Sequence, residues 1–179
     1  MANEVALVYY LKQLIVKGIE MDSSMRKERL QSFGAAPNLL EASLKEIDSE
    51  IWTWTSVPGE WNIRQIIFHI TDSEANYYVR FRKAIAESGG AVVAFDQNKW
   101  TDALAFPERS TGEALQLFRL LRTSSFRLLD QLPEATWANT VEHSERGTLT
   151  LENLFAVAEH HVTEHLKQIE DNVKKYKRR

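Results

Sequence analysis

The sequence predicts an all-α protein, a four-helix bundle forming a single domain over residues 1–179. Only seven glycines and four prolines interrupt the 179 residues, and apolar residues recur at the three- and four-residue spacing of amphipathic helices. No segment shows the sustained apolar–polar alternation that is typical of strands. Four helical stretches with one long connection between them indicate a bundle with one crossover.

Residues 1–20 are predicted to form an additional N-terminal helical extension. Their run VALVYYLKQLIV is amphipathic, is interrupted by Lys12 and is followed by no small-residue cleavage site. It therefore matches neither a signal peptide nor a membrane-spanning helix. The first bundle helix is predicted to begin near Pro37, because proline suits the first helical position, and to bury Leu40 and Leu44.

The second bundle helix is predicted to begin after Asn62, which forms a capping box with Gln65. Its apolar stripe runs to Ile85, and the sequence ESGG at 87–90 ends it. A connection of about twenty residues follows, and loops of this length in a compact domain are often functional.

The third helix is predicted to begin with a capping box of Ser110 and Glu113 and to run to about Leu132. Its inward-facing residues are predicted to be Ala114, Phe118, Leu121, Leu128 and Leu132. The fourth begins at the cap residue Thr150.

Composition excludes several classes of function. The formal net charge of −3 and the absence of cysteine leave no overall basic field for nucleic acid or an anionic membrane, no disulfide and no cysteine nucleophile. A metal must therefore be held by histidine or carboxylate. The sequence predicts a cytoplasmic protein that acts on a small molecule, without nucleic-acid or membrane partners.

Three of the five histidines lie in AEHHVTEHLKQI, residues 158–169. His161 and His165 are one helical turn apart with Cβ atoms about 6 Å from each other, so both can bind one ion. His160 is rotated roughly 100° away. His69, on the second helix, is the candidate third ligand. Three neutral histidines leave a coordination position open, as in catalytic sites.

Other interpretations of these histidines remain open. An H-x3-H pair also arises by chance on helices, and a single core histidine is usually just hydrogen-bonded. His161-Val-Thr-Glu164-His165 matches the H-x-x-E-H signature of certain zinc proteases. However, only fourteen residues follow His165, which leaves no room for the downstream carboxylate ligand. His143 and His160 are interpreted as surface or supporting residues.

Four stretches resemble the DinB/YfiT-like superfamily of small bacterial four-helix bundles, closest to its YfiT branch of metal-dependent hydrolases, which includes bacillithiol S-transferases. They are VPGEWNIRQIIFHITDSEANYYVRF (57–81), FDQNKW (95–100), TLTLENLF (148–155) and HHVTEHLKQI (160–169). The resemblance covers roughly residues 37–170 and implies an up-down-down-up bundle that is commonly a homodimer.

The resemblance also implies a divalent metal, zinc or nickel, held by His69, His161 and His165. It places Asn76 and Arg80 in the substrate pocket, covered by the loop from Asp96 to Trp100. Residues 1–20 have no clear counterpart in the family pattern.

Two classes of function follow from these residues. The first is a metal-dependent enzyme, either a transferase using a low-molecular-weight thiol such as bacillithiol or a hydrolase. In the thiol version, Arg80 would bind a carboxylate or phosphate of the thiol cofactor. In the hydrolase version, Glu164 is a candidate general base, although a solvated surface charge is the plainer interpretation. The second is a non-catalytic metal-binding protein of stress response. A helical bundle without metal is a third interpretation.

Overall fold

A computed structural model describes residues 21–179, so the predicted extension at 1–20 lies outside the described residues. Four long helices form the bundle: α1 (Ser23–Lys45), α2 (Ile63–Ala86), α4 (Thr111–Leu129) and α5 (Leu151–Lys177). The connections contain a short helix α3 (Gln97–Leu104), two 3₁₀ turns (Ser49–Thr53, Glu134–Ala138) and three strands, β1 (Gly90–Val92), β2 (Thr140–His143) and β3 (Gly147–Thr150).

Helices α1 and α5 run in the same direction. Arg26, in the first turn of α1, pairs with Glu152 in the first turn of α5 at 2.6 Å. One turn further along α1, Arg29 pairs with Glu159, about two turns further along α5, at 2.7 Å.

Helices α2 and α4 run in the opposite direction to α1 and α5. Asn172, near the end of α5, donates to the Trp61 carbonyl just before α2 begins, at 2.9 Å, so α2 and α5 are antiparallel. Two hydrogen bonds show that α2 and α4 are parallel: Thr71 Oγ1 to Ala114 O at 3.1 Å and Arg82 Nη2 to Ser124 Oγ at 3.1 Å. The topology is therefore up-down-down-up, and the predicted fold class is confirmed.

The predicted helix starts are confirmed at α2 and α5. The Asn62 side chain accepts from the Gln65 backbone N–H at 2.9 Å, and the Gln65 side chain accepts from the Asn62 N–H at 3.0 Å. Thr150 forms the equivalent box with Asn153. These bonds satisfy backbone donors that a helix otherwise leaves unpaired at its N-terminus.

The prediction that the first bundle helix begins near Pro37 is wrong. Helix α1 begins at Ser23, where the Asp22 side chain accepts from the Met25 N–H, and Pro37 lies inside the helix. A proline in a helix interior removes one hydrogen bond. Here the surrounding burial of Phe33 and Leu40, both fully enclosed, compensates for that loss.

The three short strands are absent from the sequence prediction. Strand β1 pairs in parallel with β2, with Gly90 opposite Val141, and β2 pairs antiparallel with β3, with Val141 opposite Leu149. Strands of three or four residues are too short to show alternation. The turn before β3 uses Gly147 at φ +69°, a conformation that favours glycine.

The predicted inward face of the third helix is wrong in its second half. Leu121 and Leu128 are only half-buried, and α4 ends at Leu129 rather than Leu132. The buried positions are instead Arg122 and Ser125 together with Leu129. The buried face of α4 therefore includes the charged Arg122. It lies to one side of the leucines on which the prediction depended.

Apolar side chains form two core clusters, one on either side of a polar layer. Phe33, Phe81 and Phe155 belong to the cluster near the small sheet, whereas Leu40 and Phe118 belong to the cluster near the other end. The layer between them consists of buried polar side chains: His69, Ser73, Glu74, Arg122, Ser125 and His161. Within residues 21–179, no helix is both long and apolar enough to cross a membrane.

Candidate metal centre

Three histidine rings meet between α2 and α5. The Nε2 atom of His161 lies 3.0 Å from Nε2 of His69 and 3.1 Å from Nε2 of His165. All three residues offer a ring nitrogen within 4.8 Å of the others. Tetrahedral zinc with Zn–N bonds of 2.0–2.1 Å separates its ligand nitrogens by about 3.3 Å, so the three rings fit a single small cation.

The tautomer of His165 is consistent with metal binding. Its Nδ1 lies 2.9 Å from Gln168 Oε1, and because an amide oxygen only accepts, Nδ1 carries the proton in this contact. The Nε2 lone pair is then free to face the other two rings. Histidine ligands of metals commonly donate their second ring N–H to such a partner.

Burial keeps the three rings neutral. It lowers the pKa of His69 and of His161 well below 6.5, and the neighbouring imidazoles lower both further. Burial also lowers the pKa of His165 to about 4. At neutral pH the centre therefore consists of uncharged imidazoles, which is the form that binds a metal.

The donor set supports a cation rather than hydrogen bonding alone. Two neutral rings whose Nε2 atoms face each other can form a hydrogen bond only if one of those two nitrogens is protonated. The Nε2 atom of His165 is not protonated and offers a lone pair. Ser73 Oγ is 3.4 Å from His69 Nε2 and is the remaining polar contact at these nitrogens. A cation would satisfy all three lone pairs at once, and buried lone pairs without a partner are costly.

Aromatic side chains wall the centre. The Trp61 ring lies 4.6 Å from the His69 ring and 6.4 Å from the His165 ring, between centroids. Phe95 lies 6.4 Å from His69 and packs on Trp100 of α3 at 4.8 Å. Phe95 therefore lies near the centre with Trp100 packed on it, and the role of the loop from Asp96 to Trp100 as a cover of the pocket stays a prediction.

The predicted pocket residues Asn76 and Arg80 follow His69 and Ser73 along α2. Asn76 is half-buried and donates to the backbone carbonyl of Asp72 at 2.9 Å. Arg80 is 8% exposed and donates to the Val93 carbonyl at 2.7 Å. Their role in substrate binding stays a prediction.

His160 and Glu164, two further polar residues of the histidine-rich segment, make contacts with each other and outside the triad. Glu164 forms an ion pair with Lys167 at 2.7 Å and lies 3.1 Å from the Nε2 atom of His160, a ring whose pKa burial lowers. Neither contact involves a ring nitrogen of the triad, so this placement does not favour Glu164 as a general base. His143, interpreted from sequence as a surface or supporting residue, is 6% exposed and therefore buried.

The sequence prediction missed an ion pair beneath the triad. Arg122 donates to Glu74 through Nε at 2.9 Å and Nη2 at 2.6 Å, and both side chains are buried. Arg122 also reaches the carbonyls of Phe33 and Ala158, each at 3.4 Å, so one side chain contacts all four bundle helices. One signal in the sequence could have revealed this ion pair. Glu74 and Arg122 have opposite charges, and each lies at a position of its helix where the three- and four-residue spacing calls for an apolar residue.

The fold and the centre together define a class of protein: an up-down-down-up helical bundle with a histidine-only centre between its second and last long helices. This chain belongs to the DinB superfamily, whose sequence profile matches residues 32–169.

Curated relatives agree with this assignment. The chain is 24% identical to a candidate metal-dependent hydrolase of Oceanobacillus iheyensis over 84% of this chain and 87% of that protein. It is 28% identical to one of Halalkalibacterium halodurans over 75% and 78% of the two chains. A solved structure, YfiT from Bacillus subtilis, is described as a probable metal-dependent hydrolase with an unusual four-helix bundle topology. It aligns with a TM-score of 0.82 at 20% identity, covering 88% of this chain and 91% of YfiT.

Proposed function

We propose that this protein is a metal-dependent hydrolase whose cation is bound by His69, His161 and His165. The observation that carries the proposal is the convergence of three neutral imidazoles in a buried layer, with the His161 Nε2 lying 3.0 and 3.1 Å from the Nε2 atoms of His69 and His165. The names of the relatives, which are metal-dependent hydrolases by description, support the same reaction class.

The number of ligands favours catalysis over a purely structural site. Structural zinc sites normally use four protein ligands, whereas catalytic sites use three and leave a position for water or substrate. No fourth histidine, cysteine or carboxylate joins the triad within residues 21–179. A bound divalent cation supplies Lewis acidity and lowers the pKa of water to about 7.

Aromatic side chains of this chain shape the site and limit the access of water to it. Trp61 and Phe95 cover two sides of His69, which excludes bulk water and favours a substrate with an apolar portion near the reacting atom. Asn76 and Arg80 are proposed to bind the polar portion. The short α3 holds Trp100 against Phe95 and thereby fixes the apolar wall.

Metal content of matched variants tests the ligand set. The purified wild type is expected to bind about one zinc or nickel ion per chain, and His165→Ala to bind far less, since two histidines make a weak site. His160→Ala is the matched control, because His160 is adjacent in sequence but pairs with Glu164. Equal metal content in His165→Ala and the wild type would refute the triad, provided that circular dichroism shows both folded.

Activity tests the reaction class. The metal-loaded wild type is expected to hydrolyse an activated ester such as 4-nitrophenyl acetate faster than His165→Ala does, with His160→Ala resembling the wild type. Stoichiometric metal without hydrolysis of any ester, amide or phosphoester in a panel would favour the non-catalytic metal-binding alternative.

The finer predictions are proposals with their own tests. Thiol transfer predicts that a low-molecular-weight thiol such as bacillithiol reacts with monochlorobimane faster in the presence of the metal-loaded protein. Zinc and nickel are proposed first, because neutral imidazole suits both. A homodimer predicts a mass near twice 20.6 kDa by light scattering, and a cytoplasmic location is testable by cell fractionation.

A further inference from the structure

Within residues 21–179, Arg80 is a buried cation whose guanidinium is only partly hydrogen-bonded. It is 8% exposed, yet it forms no ion pair within residues 21–179. Its polar contact there is the Val93 carbonyl at 2.7 Å, and its Cζ lies 5.8 Å from the Tyr77 ring centroid. Among the described residues, Nε and Nη1 make no hydrogen bond, and both atoms are accessible to solvent. They therefore remain open to a ligand, and a buried charge that lacks an ion pair is costly without one.

Two further donors lie beside Arg80, on β2 and in the turn that follows it. His143 is opposite Val92 in the parallel β1–β2 pair, one residue before the carbonyl that Arg80 contacts. Its Nδ1 accepts the Glu145 backbone N–H at 3.3 Å, so the proton of the neutral ring lies on Nε2. Arg146, in the exposed turn between β2 and β3, adds a second positive charge.

The charges of these groups act on one another. Burial lowers the pKa of Arg80 and of His143, and the charge of Arg146 lowers both further. Arg80 also lowers the pKa of His143, whereas Glu145 opposes these effects at both residues. The group formed by Arg80, His143 and Arg146, called here the Arg80 cluster, therefore carries two arginine charges against the single negative charge of Glu145, and its net charge is positive.

The Arg80 cluster lies close to the histidine centre. The Tyr77 ring is 6.1 Å from the His161 ring and 5.8 Å from Arg80 Cζ, so the guanidinium is within about 12 Å of the triad. Val93, which Arg80 contacts, and Phe95, which lies against His69, are only two residues apart, a span of about 7 Å. One small molecule can reach both sites.

We propose that Arg80, His143 and Arg146 form an anion subsite that binds a carboxylate or phosphate group at the far end of the substrate. This inference rests on the proposed function in one respect, namely that the substrate's reacting group lies at the triad. It selects small anionic substrates whose charge is several atoms from the bond that is cleaved. Arginine is suited to such groups because its planar fork matches two anionic oxygens.

Inorganic phosphate tests the subsite independently of catalysis. It is titrated into full-length, metal-loaded wild type and into His69→Ala, in which binding of phosphate to a triad cation is disabled, and followed by ¹⁵N NMR. The expected result is saturable shifts at Arg80, His143 and the β2–β3 turn in both proteins. Arg80→Gln is expected to weaken binding about tenfold or more, because charge-assisted hydrogen bonds are lost.

Two variants complete the binding test. Arg82→Gln is the matched control on the same helix, since Arg82 stacks on Tyr78 and donates to Ser124; it should bind phosphate as the wild type does. Arg146→Gln changes an exposed residue, which leaves folding intact, and should weaken binding about threefold, a modest effect because exposed charges are screened. Equal phosphate affinity in Arg80→Gln and Arg82→Gln would overturn the subsite.

Ester selectivity separates this inference from the proposed function. The assay compares 4-nitrophenyl acetate with 4-nitrophenyl monoesters of succinate, glutarate and adipate. For the wild type, kcat/KM is expected to be higher for one of the monoesters than for 4-nitrophenyl acetate. The ratio of these two kcat/KM values should fall about tenfold in Arg80→Gln and stay unchanged in Arg82→Gln. If phosphate binds at Arg80 but no ester is cleaved, the subsite stands and the hydrolase proposal fails. If esters are cleaved without preference for an anionic chain, the hydrolase proposal stands and the subsite fails.

Discussion

Replacing Arg122 by methionine should strongly destabilise the bundle. The Arg122 and Glu74 side chains are 1% and 0% exposed and are joined by two hydrogen bonds of 2.9 and 2.6 Å. Burial already raises the pKa of Glu74, against the opposing effect of Arg122. Without the arginine, this carboxylate has no compensating charge and must be protonated or exposed for the protein to fold.

The expected loss is about 3–5 kcal/mol, the range for removing one partner of a buried ion pair. The free energy of unfolding of native proteins is about 5–15 kcal/mol, so the variant loses a large share of its stability. The double variant Glu74→Leu with Arg122→Met removes both charges. It should fall within about 2 kcal/mol of the wild type, because an apolar replacement of a buried pair is often neutral or stabilising.

Urea unfolding followed by circular dichroism measures all of these free energies. Arg119→Met is the matched control, one turn earlier on α4, where Arg119 pairs with Glu41 at side-chain exposures of 40% and 36%. It should cost less than about 1 kcal/mol. The reasoning is refuted if Arg122→Met costs no more free energy of unfolding than Arg119→Met. It is also refuted if the loss in the double variant equals the sum of the losses in Arg122→Met and Glu74→Leu, each measured singly.

Smaller perturbations test the helix cap, the loop after α3 and the triad. Asn62→Ala removes the side-chain oxygen that accepts from the Gln65 N–H, whereas the backbone N–H of position 62 and the Gln65 side chain remain. It should lower the free energy of unfolding by about 1 kcal/mol in the same urea assay; no change would contradict the cap. Arg64 donates to four carbonyls between residues 105 and 109, so Arg64→Ala should speed amide hydrogen exchange in that loop while leaving exchange in α5 unchanged. The metal-free protein should lose stability as pH falls from 6.5 to about 4, because the unfolded chain takes up protons on its histidines while the folded pKa of His165 is only about 4. A flat urea stability between pH 7 and pH 5 would disprove that assignment.

Most of the secondary structure was predictable because its signals are local. The Asn62–Gln65 and Thr150 caps depend on residues three positions apart, and apolar periodicity depends on residues three or four apart. The error at Pro37 has the opposite origin. The sequence around this proline predicts a helix start, whereas packing of α1 against α4 and α5 keeps the helix continuous through it.

The candidate site divides in the same way. The common face of His161 and His165 follows from helical geometry alone. His69 was a candidate third ligand from the sequence, and the family resemblance implied the same three residues. Glu74 and Arg122 each occupy a stripe position that can be read from sequence, but their pairing connects residues 48 positions apart. Trp61 as a wall of the centre likewise depends on how α5 holds the carbonyl of Trp61 through Asn172.

The sequence by itself determined that four long helices form, the capped starts of the last three and the histidine face of the last one, because each depends on neighbours within one or two turns. Tertiary structure alone decided the small sheet, the polar layer between the two apolar clusters, and the contact of Arg80 with the Val93 carbonyl. These contacts depend on the rotation and direction of helices packed against each other. That rotation is set by the whole buried surface rather than by any local pattern.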